Sequence, residues 1–189
     1  VYGILLHDVD CISTPNGSQL INGLEQLKRQ GLVSKIGISV YGSSQIRKAL
    51  DLFKPDIVQL PINVLDQRLI QDGTIAYLSS LGIEIHARSA FLQGLLLMNA
   101  KDRPKYFEPW TPLLSKWQSF CCDQFISPLH AALGFVCDLK EVSVVLVGVQ
   151  SQNQLKEILD DSTTLDFSDF EQFASNDTKL LDPSVWSFA

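Results

Sequence analysis

The 189-residue sequence predicts an α/β fold built as part of a barrel, with five parallel strands each followed by helix. Three observations lead there. The stretch 35–63, KIGISVYGSSQIRKALDLFKPDIVQLPIN, reads as strand, helix, strand, and two strands joined by a helix of about a dozen residues run parallel with a right-handed crossover. The same supersecondary unit recurs along the chain without a sequence repeat of about 20 to 50 residues. The segment 83–89, IEIHARS, alternates strictly, with Ile83, Ile85 and Ala87 on one side and Glu84, His86 and Arg88 on the other. That pattern suits a barrel wall with polar residues toward the mouth, not the middle of an open sheet covered on both sides.

Taken in order, 1–7 is an apolar strand running into Asp8 and Asp10 and a turn at 13–17. A helix follows with Leu20, Ile21, Leu24 and Leu27 at helical spacing, Ser18 as its cap and Gly31 as its stop. Residues 35–40 and 57–62 are the second and third strands. Between them Ser43 or Ser44 caps a helix carrying Ile46, Ala49, Leu50 and Phe53, and Pro55 ends it. The spacing of Leu69, Ile70, Ile75, Leu78 and Leu81 predicts one helix over 66–81, with Gly73 weakening its first half. After the strand at 83–89, three prolines make 95–112 a long excursion loop that Trp110 and Trp117 anchor. Helices at 113–125 and 128–137, a strand at 142–147 and a helix at 152–159 capped by Ser151 complete the pattern. The tail from 167 to 189 reads as a short acidic helix and a surface-packed end. The whole is expected to form a single domain, 1–189.

Hydrophobic residues make up 46% and charged residues 19%, the mix of a globular chain without a disorder signature. No run of about 18 apolar residues occurs. A net charge of -6 with scattered Lys and Arg argues against nucleic acid as a partner. Cys11, Cys121, Cys122 and Cys137 lack metal-ligand spacing and read as reduced thiols of a cytoplasmic protein, Cys121 and Cys122 filling a helix face. Asp8 and Asp10 lack a third ligand at suitable spacing, so no metal site is expected. The chain opens on Val1 inside an apolar run, as a fragment or a truncated chain would. Ligands bind at the C-terminal ends of parallel strands, which singles out Ser39 and Gln59.

Five patterns at the strand ends, LLHD at 5–8, GLVSKIGIS at 31–39, VQLPIN at 58–63, RSAFLQGLL at 88–96 and VGVQSQNQLKE at 147–157, resemble in order and spacing the aldo-keto reductase family. Those enzymes are NAD(P)H-dependent (β/α)8 TIM barrels, and the resemblance runs from the family's fourth strand onward. It implies the C-terminal portion of an enzyme that reduces an aldehyde or ketone. His7 is implied as the active-site histidine near the carbonyl, and Ser39 and Gln59 as holders of the nicotinamide carboxamide. Arg88 falls where many members stack an aromatic ring, and Val40 where many carry Asn. Ser89 and Phe91 match residues near the pyrophosphate, and the segment 148–157, with Gly148, Gln154 and Glu157, matches the part that grips the adenosine end. NADP-preferring members carry basic residues at the positions of Gly148 and Gln154, so NADPH and NADH both stay open as cofactor.

The family's catalytic Tyr, Lys and Asp precede the strand that opens this chain, and none of Tyr2, Tyr41, Tyr77 or Tyr106 matches the motif. Glu84 and His86 read as a charge network inside the barrel. A half barrel with helices on one side is expected to expose an apolar inner face and open edges, and so to self-associate or to be covered by 95–112. The alternatives are an inactive, truncated homologue acting as a self-associating assembly module, and an unrelated doubly wound sheet.

Overall fold

In the computed structural model, which describes residues 1–159 and 166–187, five strands form one sheet in the order β1 (Gly3–Leu6), β2 (Lys35–Ser39), β3 (Ile57–Pro61), β4 (Glu84–Arg88), β5 (Val142–Val145). The parallel register runs Leu6 to Ile38, Ser39 to Gln59 and Gln59 to His86. Strand order equals chain order, so right-handed crossovers put successive helices on the same side of the sheet. The chain divides into two compact units. The first holds Val1–Pro61, Leu69–Arg88 and Glu141–Val144, and the second Ile62–Arg68, Ser89–Lys140 and Val145–Ala189.

In the first unit, residues paired across parallel strands share a face. One face carries Ile36, Ile38, Val40, Val58, Leu60, Ile85 and Ala87, all buried. The other carries Lys35, Ser39, Gln59, Glu84, His86 and Arg88, with Gly37, the buried Ile57 and Pro61 among them. The inner face is therefore largely polar, Ile57 apart, where the sequence reading expected an apolar one: helices cover the branched aliphatic side, and alternation leaves the charges on the other. That polar face is concave. Tyr2, just before β1, donates its hydroxyl to both Glu84 carboxylate oxygens at 2.7 and 2.8 Å. Three strand spacings on a flat sheet would separate those strands by about 14 Å. Lys35 completes the clasp, 2.6 Å from Glu84.

Helix α1 (Gly17–Arg29) buries Ile21 and Leu24, but its N-cap is Asn16 and not the expected Ser18. The turn sets the start: a Cβ on Gly17 would run into the Ile12 carbonyl, so the chain enters the helix at this glycine, two residues early. Helix α2 (Ser43–Leu50) starts after Gly42 without a side-chain cap, where Ser43 or Ser44 was expected, and buries Ile46 and Ala49. The single helix expected over 66–81 is two, α3 (Arg68–Gln71) and α4 (Thr74–Ser80). Gly73 breaks it with a φ of 76°, and Asp72 restarts the second piece by accepting the Thr74 N–H at 3.0 Å.

The second unit is built on aromatic packing. The expected loop at 95–112 forms three short 3-10 turns, followed by α5 (Thr111–Asp123) and α6 (Pro128–Cys137). Helix α7 (Gln152–Leu159) begins with the Gln154 N–H on Ser151 Oγ at 3.2 Å, the cap expected from sequence. The indole of Trp117 is fully buried and donates to the Leu96 carbonyl at 3.0 Å, and that of Trp110 donates to Asp177 at 3.0 Å. Against Trp117 pack Phe170 and Phe173, centroids 6.1 and 5.5 Å away.

The tail is thus anchored in the core by four side chains, while Ser184, Val185 and Ser187 near its end are exposed, as the sequence reading expected of that end. Its 3-10 turn at Ser168–Phe173 and α8 (Thr178–Leu181) bury Phe170, Phe173, Leu180 and Leu181. The last two residues of the tail lie outside the described ones. Cys121 is buried, which pushes its thiol up to about 12, whereas Cys122 is exposed, so only one of the pair fills the helix face. No helix among the described residues is long and apolar enough to cross a membrane.

Candidate functional site

In the first unit the C-terminal ends of β2, β3 and β4 gather polar groups on the concave face. Ser39 donates to Gln59 Oε1 at 3.3 Å, and Ser39 is 9% exposed. The bond follows from parallel register, which sets Ser39, Gln59 and His86 side by side. It fixes the Gln59 amide with its NH2 group still able to donate and the Ser39 oxygen still able to accept, a donor and acceptor pair suited to a primary amide.

Arg88 stands two residues beyond His86 on the same face. Its guanidinium carbon lies 4.4 Å from the Tyr41 ring centroid, and Nη2 donates to the Val40 carbonyl at 3.3 Å. His7 is exposed, one residue past the last β1 pair. His86 is buried with Nε2 3.5 Å from Glu84 Oε2. The Lys35 ammonium, then the Tyr2 hydroxyl, hold the Glu84 carboxyl below the usual carboxylate range. Glu84 and His86 therefore belong to the network expected of them.

In the second unit a cleft of about 610 Å3 is lined by Ser89, Phe91, Gly148, Gln154 and Glu157. All five were singled out in the sequence, and the cleft brings them together. Its one wall is the turn after β4, where Ser89, Leu92, Gln93 and Gly94 have φ of 62, 44, 52 and 85°. Left-handed backbone at non-glycine residues costs of order 1 kcal/mol each and persists only where neighbours enforce it.

Asn63 is one enforcer, a residue to which sequence reasoning gave no role although it ends a quoted motif. It is fully buried, donates to the Ser89 carbonyl at 3.2 Å and accepts from the Leu65 and Asp66 N–H groups at 2.9 Å each. The other wall is the start of α7, where Gln154 Oε1 accepts the Gln150 N–H at 2.7 Å and folds the loop back. A Cβ on Gly148 would meet nothing within 4 Å, so this glycine leaves room in the cleft. Glu157 gives its backbone carbonyl to His130 Nε2 at 2.9 Å. Tyr41 was also passed over, and nothing in its local sequence announces the arginine stacked on it.

The family model for the aldo/keto reductase family matches residues 4–177. Among solved structures, the apo and holo forms of aldo-keto reductase AKR11C1 from Bacillus halodurans superpose with TM-scores of 0.74 and 0.76, each at 20% identity over 99% of this chain. The glycerol dehydrogenase AKR11B4 from Gluconobacter oxydans superposes with a TM-score of 0.67 at 18% identity over 91% of the chain. The chain spans 64%, 63% and 56% of those chains respectively. These likenesses show the fold, an arc of a TIM barrel. Comparison with curated proteins gave no sequence match.

Proposed function

The chain belongs to the aldo/keto reductase family, and we propose that it carries the cofactor-binding part of an NAD(P)H-dependent oxidoreductase acting on a small aldehyde or ketone. The observation that carries the reading is the cleft in the second unit, which gathers five residues implied by family resemblance from segments some sixty residues apart in sequence. The residues fit the group: Gly148 leaves open space, and the cleft is bordered by the left-handed turn at 89–94 and by the start of α7, backbone arrangements of the kind that receive phosphate oxygens. Bound there, a reduced nicotinamide dinucleotide supplies a hydride.

The chain's own residues do the rest of what is proposed. Ser39 and Gln59 hold the carboxamide and so fix which face of the ring meets substrate. His7 donates a hydrogen bond to the carbonyl oxygen as negative charge develops on it. Ser89 and Phe91 border the pyrophosphate, and Gln154 and Glu157 the adenosine. Proton transfer is assigned to a part of the enzyme outside this chain.

Glu157 is the one charged side chain among the described residues lining the cleft. A carboxylate accepts from ribose hydroxyls and repels a 2′-phosphate, so NADH is proposed over NADPH. Calorimetric titration with NADH and NADPH tests both statements. NADH binds the more tightly, Gly148→Leu weakens both by filling the cleft, and Glu157→Arg reverses the order. Affinities indifferent to Gly148→Leu refute the assignment.

A second reading has its own support. Edge strand β1 and α1 border an apolar groove of about 620 Å3, with Ile4 and Leu20 each 37% exposed. In it the chain is an inactive homologue that self-associates through this edge. A monomeric mass in solution at high concentration rules that out.

A further inference from the structure

Arg88 takes the place at which family resemblance puts an aromatic ring, and the structure shows what holds it. Its guanidinium stacks 4.4 Å from the Tyr41 ring centroid and donates to the Val40 carbonyl at 3.3 Å. Both contacts come from the two residues that follow Ser39. Arg88 also shares the concave face with Gln59, one step along β4 from the row that joins Ser39, Gln59 and His86. A guanidinium cation is therefore clamped one step along the face from the Ser39 and Gln59 pair.

We propose that Arg88, clamped on Tyr41, makes this site discriminate between the oxidation states of a nicotinamide cofactor and favour the reduced form. The inference rests on the reading of Ser39 and Gln59 as carboxamide holders. The oxidised ring carries a positive charge and the dihydro ring none, whereas phosphates, riboses and adenine are the same in both. A fixed cation beside the ring thus penalises one form only. An aromatic face at that position has the opposite sign, because its negative quadrupole attracts a cation. In a partly exposed, water-screened site such a repulsion amounts to roughly five- to tenfold in affinity. By linkage, each tenfold raises the two-electron potential of the bound couple by about 30 mV.

The test is titration of the full chain with NADH and NAD+, and with NADPH and NADP+, by calorimetry. The reduced form binds roughly five- to tenfold more tightly than the oxidised form of the same pair. Arg88→Gln brings that ratio close to one, Arg88→Lys keeps most of it, and Arg88→Tyr lowers it below one. A ratio that Arg88→Gln does not move, or tighter binding of the oxidised form by the unmodified chain, overturns the inference alone. If neither form binds, or if Ser39→Ala and Gln59→Ala leave all affinities as they were, the reading of the site is wrong and the inference falls with it.

Discussion

The two faces of the sheet are made by alternate residues of the same strands, yet they have opposite chemistry. Ile38, Val58, Leu60, Ile85 and Ala87 are wholly buried on one, whereas one position away Ser39, Gln59, His86 and Arg88 carry hydrogen-bonding or charged groups on the other. On the proposed function, stability and ligand recognition separate by parity toward the C-terminal ends of the strands: a substitution at Leu60 acts on folding, and one at its chain neighbour Gln59 acts on binding.

The separation breaks most visibly on the apolar side. Leu60→Ala should destabilise by about 3 kcal/mol, through lost transfer energy and the cavity left in a close-packed layer, measured by denaturant unfolding.

Polar groups at the strand starts serve the fold as well, to a smaller extent. Burial alone would raise the Asp56 carboxyl, but the Lys28 ammonium at 2.6 Å and the Ile36 N–H at 2.9 Å outweigh it and hold the group below the usual range. Its folded value being depressed, the stabilisation is present above the unfolded carboxylate range, near pH 4, and is lost as pH falls through the lower folded value. Asp56→Asn should cost about 1 kcal/mol at pH 7, and its stability curve should converge with that of the parent chain as pH falls below the ordinary carboxylate range.

Smaller still is Ser39→Ala, which should change stability by no more than about 0.5 kcal/mol while weakening NADH roughly tenfold. His7→Ala, on an exposed side chain, should leave the unfolding midpoint unchanged within error. A midpoint lowered by several degrees would show that His7 is structural.

Much of this was legible in the sequence because the deciding interactions are local. Helix α6 begins at Pro128 behind a Ser127 cap and α7 begins behind Ser151, patterns that lie within a few residues of one another. The alternation of 83–89 likewise carried the polar face of β4. Long-range partners were what the pattern hid. Phe170 and Phe173 sit in an acidic stretch that reads as surface, and it is the rings of Trp117, Phe120 and Phe135, more than thirty residues away in sequence, that make them core. The roles of Asn63 on Ser89 and of Tyr41 under Arg88 are also contacts across the fold, so their neighbours in sequence say nothing of them. At Gly73 the apolar spacing continues through the break, and a single positive φ outweighs it.

The most direct measurement is calorimetric titration of NADH into the Gln59→Ala chain, with thermal unfolding followed on the same sample. Gln59 stands next to Leu60 and on the opposite face, so it isolates recognition from packing. The account predicts an affinity reduced about tenfold and a midpoint within about 2 °C of the parent. An unchanged affinity, or a loss of binding matched by a large fall in the midpoint, would contradict it.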